Sequence, residues 1–540
     1  MKRERIRLHW AVAVVAFAAA AASAQQLPIP GTGSGGASGP SELDALVDST
    51  STTTRTEQPA NAPPASWTAE IPATSMQVGS QDASVDESAL GLAGLPPGAT
   101  INSSFTTYSE IDIAGSTNGT YILAYDAYLS VYTLSGTVVK KTDPNTFWCG
   151  GASPLPICSV GGFAGDQRVR YDTGAGRWIV TALWVFGNNP SPTDVLAVSK
   201  TGDPTKGWYR YQFPACGAFD TWDGSDQPHT GFNNQWIAVT SACEAHNGVN
   251  GAGLAVFNKT RLYNGGTLTL NTNWFEFVDP YSGGPYSGVG GGNGTRDNPV
   301  STYAATINNR EYLTVSTINS AGHAVVIYSH VEGATNSPVF YSATETVTTS
   351  FLATGPVGVD APGCTGCMKT FANGWIHSSN VWTFASGVPY ILSTMVLGDP
   401  NHARSTQIIS LAVNTQNGAA TALQVAGGIA GSGPLAAEIA MPLVRSGSAD
   451  QALIVYDHSR YDFYPGVKDI SWNVDANTVS YVTVLRQGSF TPNNGDQNRW
   501  ADFIDGIAPI PGTSSLVVAG TLAAPFDDPQ RSTYWADVTP

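Results

Sequence analysis

Asp220, Asp223 and Asp226 stand three residues apart in the stretch FDTWDGSDQPH, with His229 just beyond them. They form the best local group of acids in the chain. Two carboxylates could serve glycoside hydrolysis, which sets them about 5 Å or about 6.5–9.5 Å apart according to its stereochemistry. The same three aspartates could instead hold calcium, a cation that takes several oxygen ligands. Their spacing is not that of an EF-hand loop: counted from Asp220, position six is Ser225 and position twelve is Gly231. Aspartates in loops also cap turns, and all three uses stay open at this level. A lyase would need a His or Tyr base beside a charge-neutralising Arg, for which His229, His377 and Tyr303 are the nominees.

A second set of residues pairs opposite charges at the starts of strand-like runs: Asp166 with Arg168, Arg296 with Asp297, and Arg499 with Asp502, alongside Asp226 and His229. Charged residues make up only 12% of the chain, so this placement stands out. It reads either as a network of ion pairs holding strands together or as a binding site for an anionic sugar or carboxylate. In the second case Arg168, Arg296 and Arg499 are the donors, because a planar, permanently charged guanidinium grips a carboxylate with two hydrogen bonds.

The elements that must position these residues are strands. RVRYD, RWIVTALW, VLAVS and WYRYQF follow one another from Arg168 to Phe213, with turns between them, and comparable quartets recur along the chain. Four short strands repeated at a period of tens of residues predict an all-β fold, a single β-propeller. The units are read as Tyr108–Lys141, Arg168–Phe213, one around QWIAVT and GLAVFN, one around EYLTVST and AVVIYSH, Lys369–Val413, one carrying ALIVYD, DISWNV and YVTVLRQ, and a last from Trp500. Seven four-stranded blades fit best, with six or eight open, and a pair of β-sandwiches is the structural rival. The last unit shows three strands, so an N-terminal strand is expected to complete it, since an unclosed ring exposes an edge. Units average about 60 residues against the usual ~40–50. The excess lies in loops such as Asp279–Asn298 and Gly355–Cys367, where binding residues concentrate. Tyr281, Tyr286, Tyr461 and Tyr464 in such loops could stack on sugar rings.

The N-terminus reads as an export signal, residues 1–24: Lys2, Arg3, Arg5 and Arg7, an apolar run from Trp10 to Ala22, and a small-residue cleavage site at Ala22-Ser23-Ala24. The run is shorter than the roughly 20 residues of a membrane span. Residues 25–103 read as a low-complexity, mostly disordered spacer, with Gly31–Pro40 as a flexible linker and Met76–Val78 as a piece that could dock. The propeller then occupies 104–540. Net charge is −16, and loss of the leader's four cations and Glu4 takes away +3 to leave −19. Such a chain has no electrostatic footprint for nucleic acid and is repelled by anionic lipid. Six cysteines in an exported chain predict disulfides, with neighbours paired: Cys149–Cys158, Cys216–Cys243 and Cys364–Cys367. No cofactor is expected, calcium at Asp220, Asp223 and Asp226 being the one candidate.

The stretch GDQRVRYDTGAGRWIV…LAVSKTGDPTKGWYRYQF, together with the late Arg499-Trp500-Ala501-Asp502, resembles a group of secreted bacterial β-propeller proteins. The likeness covers most of Ser104–Pro540. It implies the fold and hands over no catalytic residues. The group is in turn similar to sialidase-like propellers, whose Asp-boxes place an Asp in the turn between strands and a Trp between blades. Asp172, Gly174 and Trp178 resemble such a box, with the Trp one residue late and Arg177 in place of Thr. The resemblance makes Asp172 a turn cap.

The reading as a whole is a secreted or periplasmic monomer that recognises an extracellular glycan or protein without catalysis. Its rivals are a carbohydrate-active enzyme, a hydrolase or lyase working at the channel rim, and a surface-displayed adhesion module.

Overall fold

The computed structural model describes residues 40–47, 100–101, 112–125, 128–185, 193–215, 222–245, 250–280, 298–299, 301–302, 309–318, 323–352, 358–370, 376–384, 386–399, 402–416, 420–426, 430–441, 451–486, 499–500, 503–505, 507–523 and 531–538. These are strands in mostly antiparallel sheets. The helices among them are short: Pro144–Cys149, a 3-10 turn at Pro156–Val160, and Lys259–Tyr263. The last sits where the sequence suggests a helical turn within Lys259–Gly266.

Successive strands pair with their chain neighbours to build four-stranded units. Unit one is Asp112–Thr117, Tyr121–Tyr125, Leu129–Thr133 and Val138–Thr142. Unit two is Phe163–Asp172, Arg177–Val185, Thr193–Ser199 and Trp208–Pro214. Unit three is Trp222–Phe232, Trp236–Ala245, Asn250–Asn258 and Trp274–Pro280. Unit four is Asn298–Pro299, Glu311–Ile318, His323–Ala334 and Ser337–Leu352. Unit five is Ile376–Thr383, Pro389–Gly398, Thr406–Asn414 and Ala420–Ala426. Unit six is Gly433–Ala440, Gln451–Arg460, Phe463–Asn473 and Thr478–Arg486. The last unit is Ala508–Pro509, Leu516–Ala523 and Arg531–Val538, completed by the N-terminal strand Thr100–Ile101.

Some boundaries differ from the sequence reading. Unit five begins at Ile376, because Lys369 belongs to a hairpin, Gly358–Ala361 with Cys364–Thr370, in the stretch read as a loop. Gly363 turns that hairpin with φ 78°, a left-handed value that favours glycine. Unit six has a first strand, GPLAAEIA, that local propensity conceals: it is rich in small residues and opens on Gly-Pro. Burial holds it in place, with Leu435, Ala437 and Ile439 inaccessible to solvent.

The sheets stack face to face through apolar layers. Val180, Ala182, Val195 and Ala197 of unit two pack toward Leu123, Leu129 and Val131 of unit one. Their alternating neighbours Ile179, Leu196 and Val198 pack toward Phe232, Ile237 and Val239 of unit three. Strand side chains point to opposite faces in turn, so a sheet covered on both sides needs an unbroken apolar run rather than an alternating one. That is why IVTALW reads as continuous. Further layers join units three and four, four and five, and five and six. The first strands of successive units also touch in chain order, and Phe503–Asp505 lies beside Gly433–Ala440 and pairs in parallel with Asp112–Ala114.

One device recurs where a first strand turns into the second. Asn118 accepts from the backbone N–H of Thr120 and Tyr121 at 3.0 and 2.7 Å. Asp172 accepts from that of Ala175 at 3.0 Å, and Asn233 from those of Gln235 and Trp236 at 2.7 and 2.9 Å. An aromatic ring follows each cap (Tyr121, Trp178, Trp236), and both tryptophans are fully buried. The Trp178 indole N–H and the Asn118 amide both donate to the Gly202 carbonyl, at 2.9 and 2.8 Å, tying units one and two. Asp172 is therefore the turn cap the resemblance implied.

Outside the units, Cys149–Cys158 and Cys364–Cys367 are bonded as expected from their spacing. Cys216 lies outside the described residues. Residues 1–39, the signal among them, and Met76–Val78 do too. A different piece of the N-terminal stretch packs on the core: Ser41–Leu43 adds a strand to the outer edge of unit two, and Leu43 and Leu46 are buried there.

Candidate functional site

The first strands of units two and three each carry a bulge near their beginnings. Pairing with the second strand breaks between Gly165 and Arg168 in one, and between Asp226 and His229 in the other. A bulge leaves residues unpaired and re-aims their side chains. Asp166 and Gln227 occupy these bulges, each at φ 48°, a left-handed value rare for residues other than glycine. They meet across the seam: the Gln227 backbone N–H donates to the Asp166 carboxylate at 3.0 Å. This single contact brings the Asp166–Arg168 pair against the acidic stretch that ends in Asp226 and His229.

Arg168 and His229 hold matching positions, the first paired residue after each bulge, opposite Thr181 and Thr240. Both are buried, and Arg168 donates to the Gln167 carbonyl at 3.0 Å. The Gln227 side-chain oxygen is buried without a hydrogen-bond partner among the described residues.

Three further links lace the same seam. Asp194, inaccessible to solvent, accepts from the Ser225 hydroxyl at 3.0 Å and from the Ser241 hydroxyl at 2.5 Å. Thr181 and Thr230 share a hydrogen bond of 2.5 Å. At the capped end, Asp172 pairs with Lys259 at 2.8 Å and accepts from the Tyr263 hydroxyl at 2.9 Å. Burial first, and the adjacent Asp172 charge second, push the Tyr263 hydroxyl well above the ordinary phenol range. Tyr263 is therefore a donor here and never a base.

The other residues singled out from the sequence are distributed as follows. Asp220, Arg296, Asp297, Asp502, Tyr281, Tyr286 and Tyr303 lie outside the described residues. Asp223 and Asp226 lie on Trp222–Phe232, and His377 on Ile376–Thr383. Arg499 lies on Arg499–Trp500, which pairs in parallel with Cys364–Thr370 at Lys369 and Thr370. Tyr461 is exposed, within 6 Å of the Arg460 guanidinium. Among the described residues no three His, Cys, Asp or Glu side chains gather as a metal site.

Sequence reasoning overlooked Gln227 and Asp194. A signal for Gln227 was present: Asp-Gln recurs at Asp166-Gln167, Asp226-Gln227, Asp450-Gln451 and Asp496-Gln497. Asp194 carries no local mark, since it looks like the end of a turn.

No protein-family model matches this chain, and no curated protein matches it. Solved structures with some likeness include Bacillus subtilis levansucrase (11% identity, 63% of this chain and 90% of that one, TM-score 0.32). Another is an exo-1,5-alpha-L-arabinanase from a bovine ruminal metagenomic library (10% identity, 61% and 97%, TM-score 0.30). A third is a thermostable family-43 glycoside hydrolase (10% identity, 58% and 93%, TM-score 0.28).

Proposed function

We propose that the units form a closed seven-bladed β-propeller, exported from the cell, that acts on carbohydrate at the seam where blades two and three begin. The succession of first-strand contacts, with Phe503–Asp505 returning to Asp112–Ala114, supports the ring. Two disulfides support an oxidising compartment. No helix among the described residues is long and apolar enough to cross a membrane.

The observation that carries the functional reading is the 3.0 Å contact between Asp166 and the Gln227 N–H. It sets the Asp166 carboxylate against the backbone of Gln227, the residue that follows Asp226 in the chain, with Arg168 and His229 on the same two strands. A pair of carboxylates beside a cation is the apparatus of acid–base work on a glycosidic bond. A neutral, hydroxyl-rich ligand suits a chain of strongly negative charge better than a polyanion does.

The test is a polysaccharide panel read for reducing ends and unsaturated products, run beside a glycan-binding array. Turnover that falls at least about 100-fold in both Asp166→Asn and Asp226→Asn supports the enzyme. Asparagine at 166 can still accept from the Gln227 N–H, so the fold is retained. Glycan binding without product from the unmodified chain sinks catalysis and leaves the recognition reading. Loss of either signal on chelation, restored by calcium in the unmodified chain but not in Asp220→Asn or Asp223→Asn, would support an ion at Asp220, Asp223 and Asp226.

A further inference from the structure

We infer that the outer edge of unit two is a peptide-recognition groove, and that residues 41–46 (Ser-Glu-Leu-Asp-Ala-Leu) are its ligand, supplied by the chain itself. The segment is separated from the next described strand by residues 48–99, 52 residues rich in Ser, Thr and Pro. Fully extended, so long a connection reaches about 170 Å. The path of the chain therefore does not dictate where the segment sits, and its own contacts must do so.

Those contacts amount to a built site. Ser41, Glu42 and Leu43 pair antiparallel with Arg210, Tyr209 and Trp208, adding a strand to an edge. Leu43 and Leu46 enter the apolar layer of units one and two beside Phe147, Trp148 and Leu155. The Leu46 N–H donates to the Thr205 carbonyl at 3.1 Å, and the Thr142 hydroxyl donates to the Val47 carbonyl at 3.0 Å.

Arg210 closes the groove from within. Its guanidinium is inaccessible to solvent and donates to the Ser41 hydroxyl at 2.7 Å, to the Glu42 carbonyl at 3.3 Å and to the Gly150 carbonyl at 2.8 Å. It thus reads the segment's backbone while staying bound to the groove wall. The wall is also cut to fit. A Cβ at Gly207 would stand 3.0 Å from the Leu43 carbonyl oxygen and 3.2 Å from that of Asp44.

Recognition therefore rests on a strand, two leucine pockets and one guanidinium, none of which requires covalent attachment. This groove lies on the outer edge, apart from the strand starts assigned to carbohydrate, and stands or falls independently of that site.

The full chain carrying Leu43→Asp and Leu46→Asp vacates the groove. It should bind a labelled synthetic peptide of residues 40–47, while the unmodified chain, already occupied, binds it at least tenfold more weakly. The peptide bearing the same two substitutions should not bind. A folded double variant that ignores the peptide, or an unmodified chain that binds it equally well, overturns the proposal. A second measurement does not rely on that variant's folding. A specific protease site is inserted within 60–70 of the otherwise unmodified full chain and cut. The N-terminal fragment should stay with the body on gel filtration and be displaced by excess peptide, and Gly207→Val in the same background should release it. A fragment that dissociates at once on cutting refutes the groove, as does one retained equally with Val at 207.

Discussion

Two buried carboxyl groups feel the charge of Lys259, and they are built in opposite ways. Asp172 touches the ammonium at 2.8 Å and accepts from Tyr263 and from the Ala175 N–H. Glu311, at the start of the second strand of unit four, is 1% exposed, and neither of its oxygens has a hydrogen-bond partner among the described residues. Burial drives its carboxyl well above the usual carboxylate range, and the Lys259 field opposes this without cancelling it. A distant cation lowers the energy of a dry carboxylate only in part. Direct contact with a cation, together with further donors, offsets the desolvation of a buried carboxylate. The seam between units two and three thus holds a carboxyl group in contact with its cation, whereas Glu311 has no such contact among the described residues.

Removing the shared cation should separate the two most sharply. Lys259→Met leaves the Asp172 carboxylate buried with donors but no counter-charge, a loss of about 3–5 kcal/mol in urea unfolding. Adding Asp172→Asn should restore much of it, because a neutral pair of similar size needs no compensation. A Lys259→Met chain of unchanged stability would erase the distinction.

On the other side, Glu311→Met should stabilise the fold by about 2 kcal/mol at neutral pH, by removing a buried group with no partner. The pH dependence has a definite sign. The folded-state pKa of Glu311 is raised, so its full contribution is present below the ordinary glutamate value of about 4.3 and is lost as pH rises through the folded value. Denaturation series from pH 4 to 8 should therefore show a downward slope that Glu311→Met flattens. An identical slope in both chains would contradict the neutral assignment.

His330, in the same unit, carries the opposite sign. Burial, then the Arg310 charge, lowers it to about 4 despite Glu332 at 3.3 Å. Its contribution is intact above about 6.5 and drains away as pH falls toward 4, by about 3 kcal/mol. His330→Gln should remove that acid-side loss, which a stability profile below pH 6.5 would register. The smallest effect belongs to the exposed pair Lys200–Glu42, 2.7 Å apart. Glu42→Gln should cost less than about 0.5 kcal/mol in the same assay and vanish in high salt. A larger change would mean that surface charge matters here as much as buried charge.

How far the sequence could be read depended on how local the cause was. The capped turn at Asp172 and the paired Cys149–Cys158 are set by neighbours within ten residues, and both were visible. So were the paired strands of unit two, where period and composition agree. The first strand of unit six was not, because GPLAAEIA owes its form to the sheets around it. Nor was the docked segment 41–46: a three-residue strand has no period to detect, and its surroundings are low in complexity. Of the candidate site, Asp166, Arg168 and His229 were legible as polar residues at strand starts. The Asp166–Gln227 contact that joins them was not, since it depends on two bulges meeting across units.

What the residues alone determined was the all-β character, the unit length and the turn chemistry, because backbone sterics and side-chain alternation act over a few positions. Which carboxyl group is buried against a cation, which strand starts meet and where residues 41–46 come to rest were decided only by the packed structure. Desolvation and long-range contact are properties of a surrounded group, and a linear string surrounds nothing.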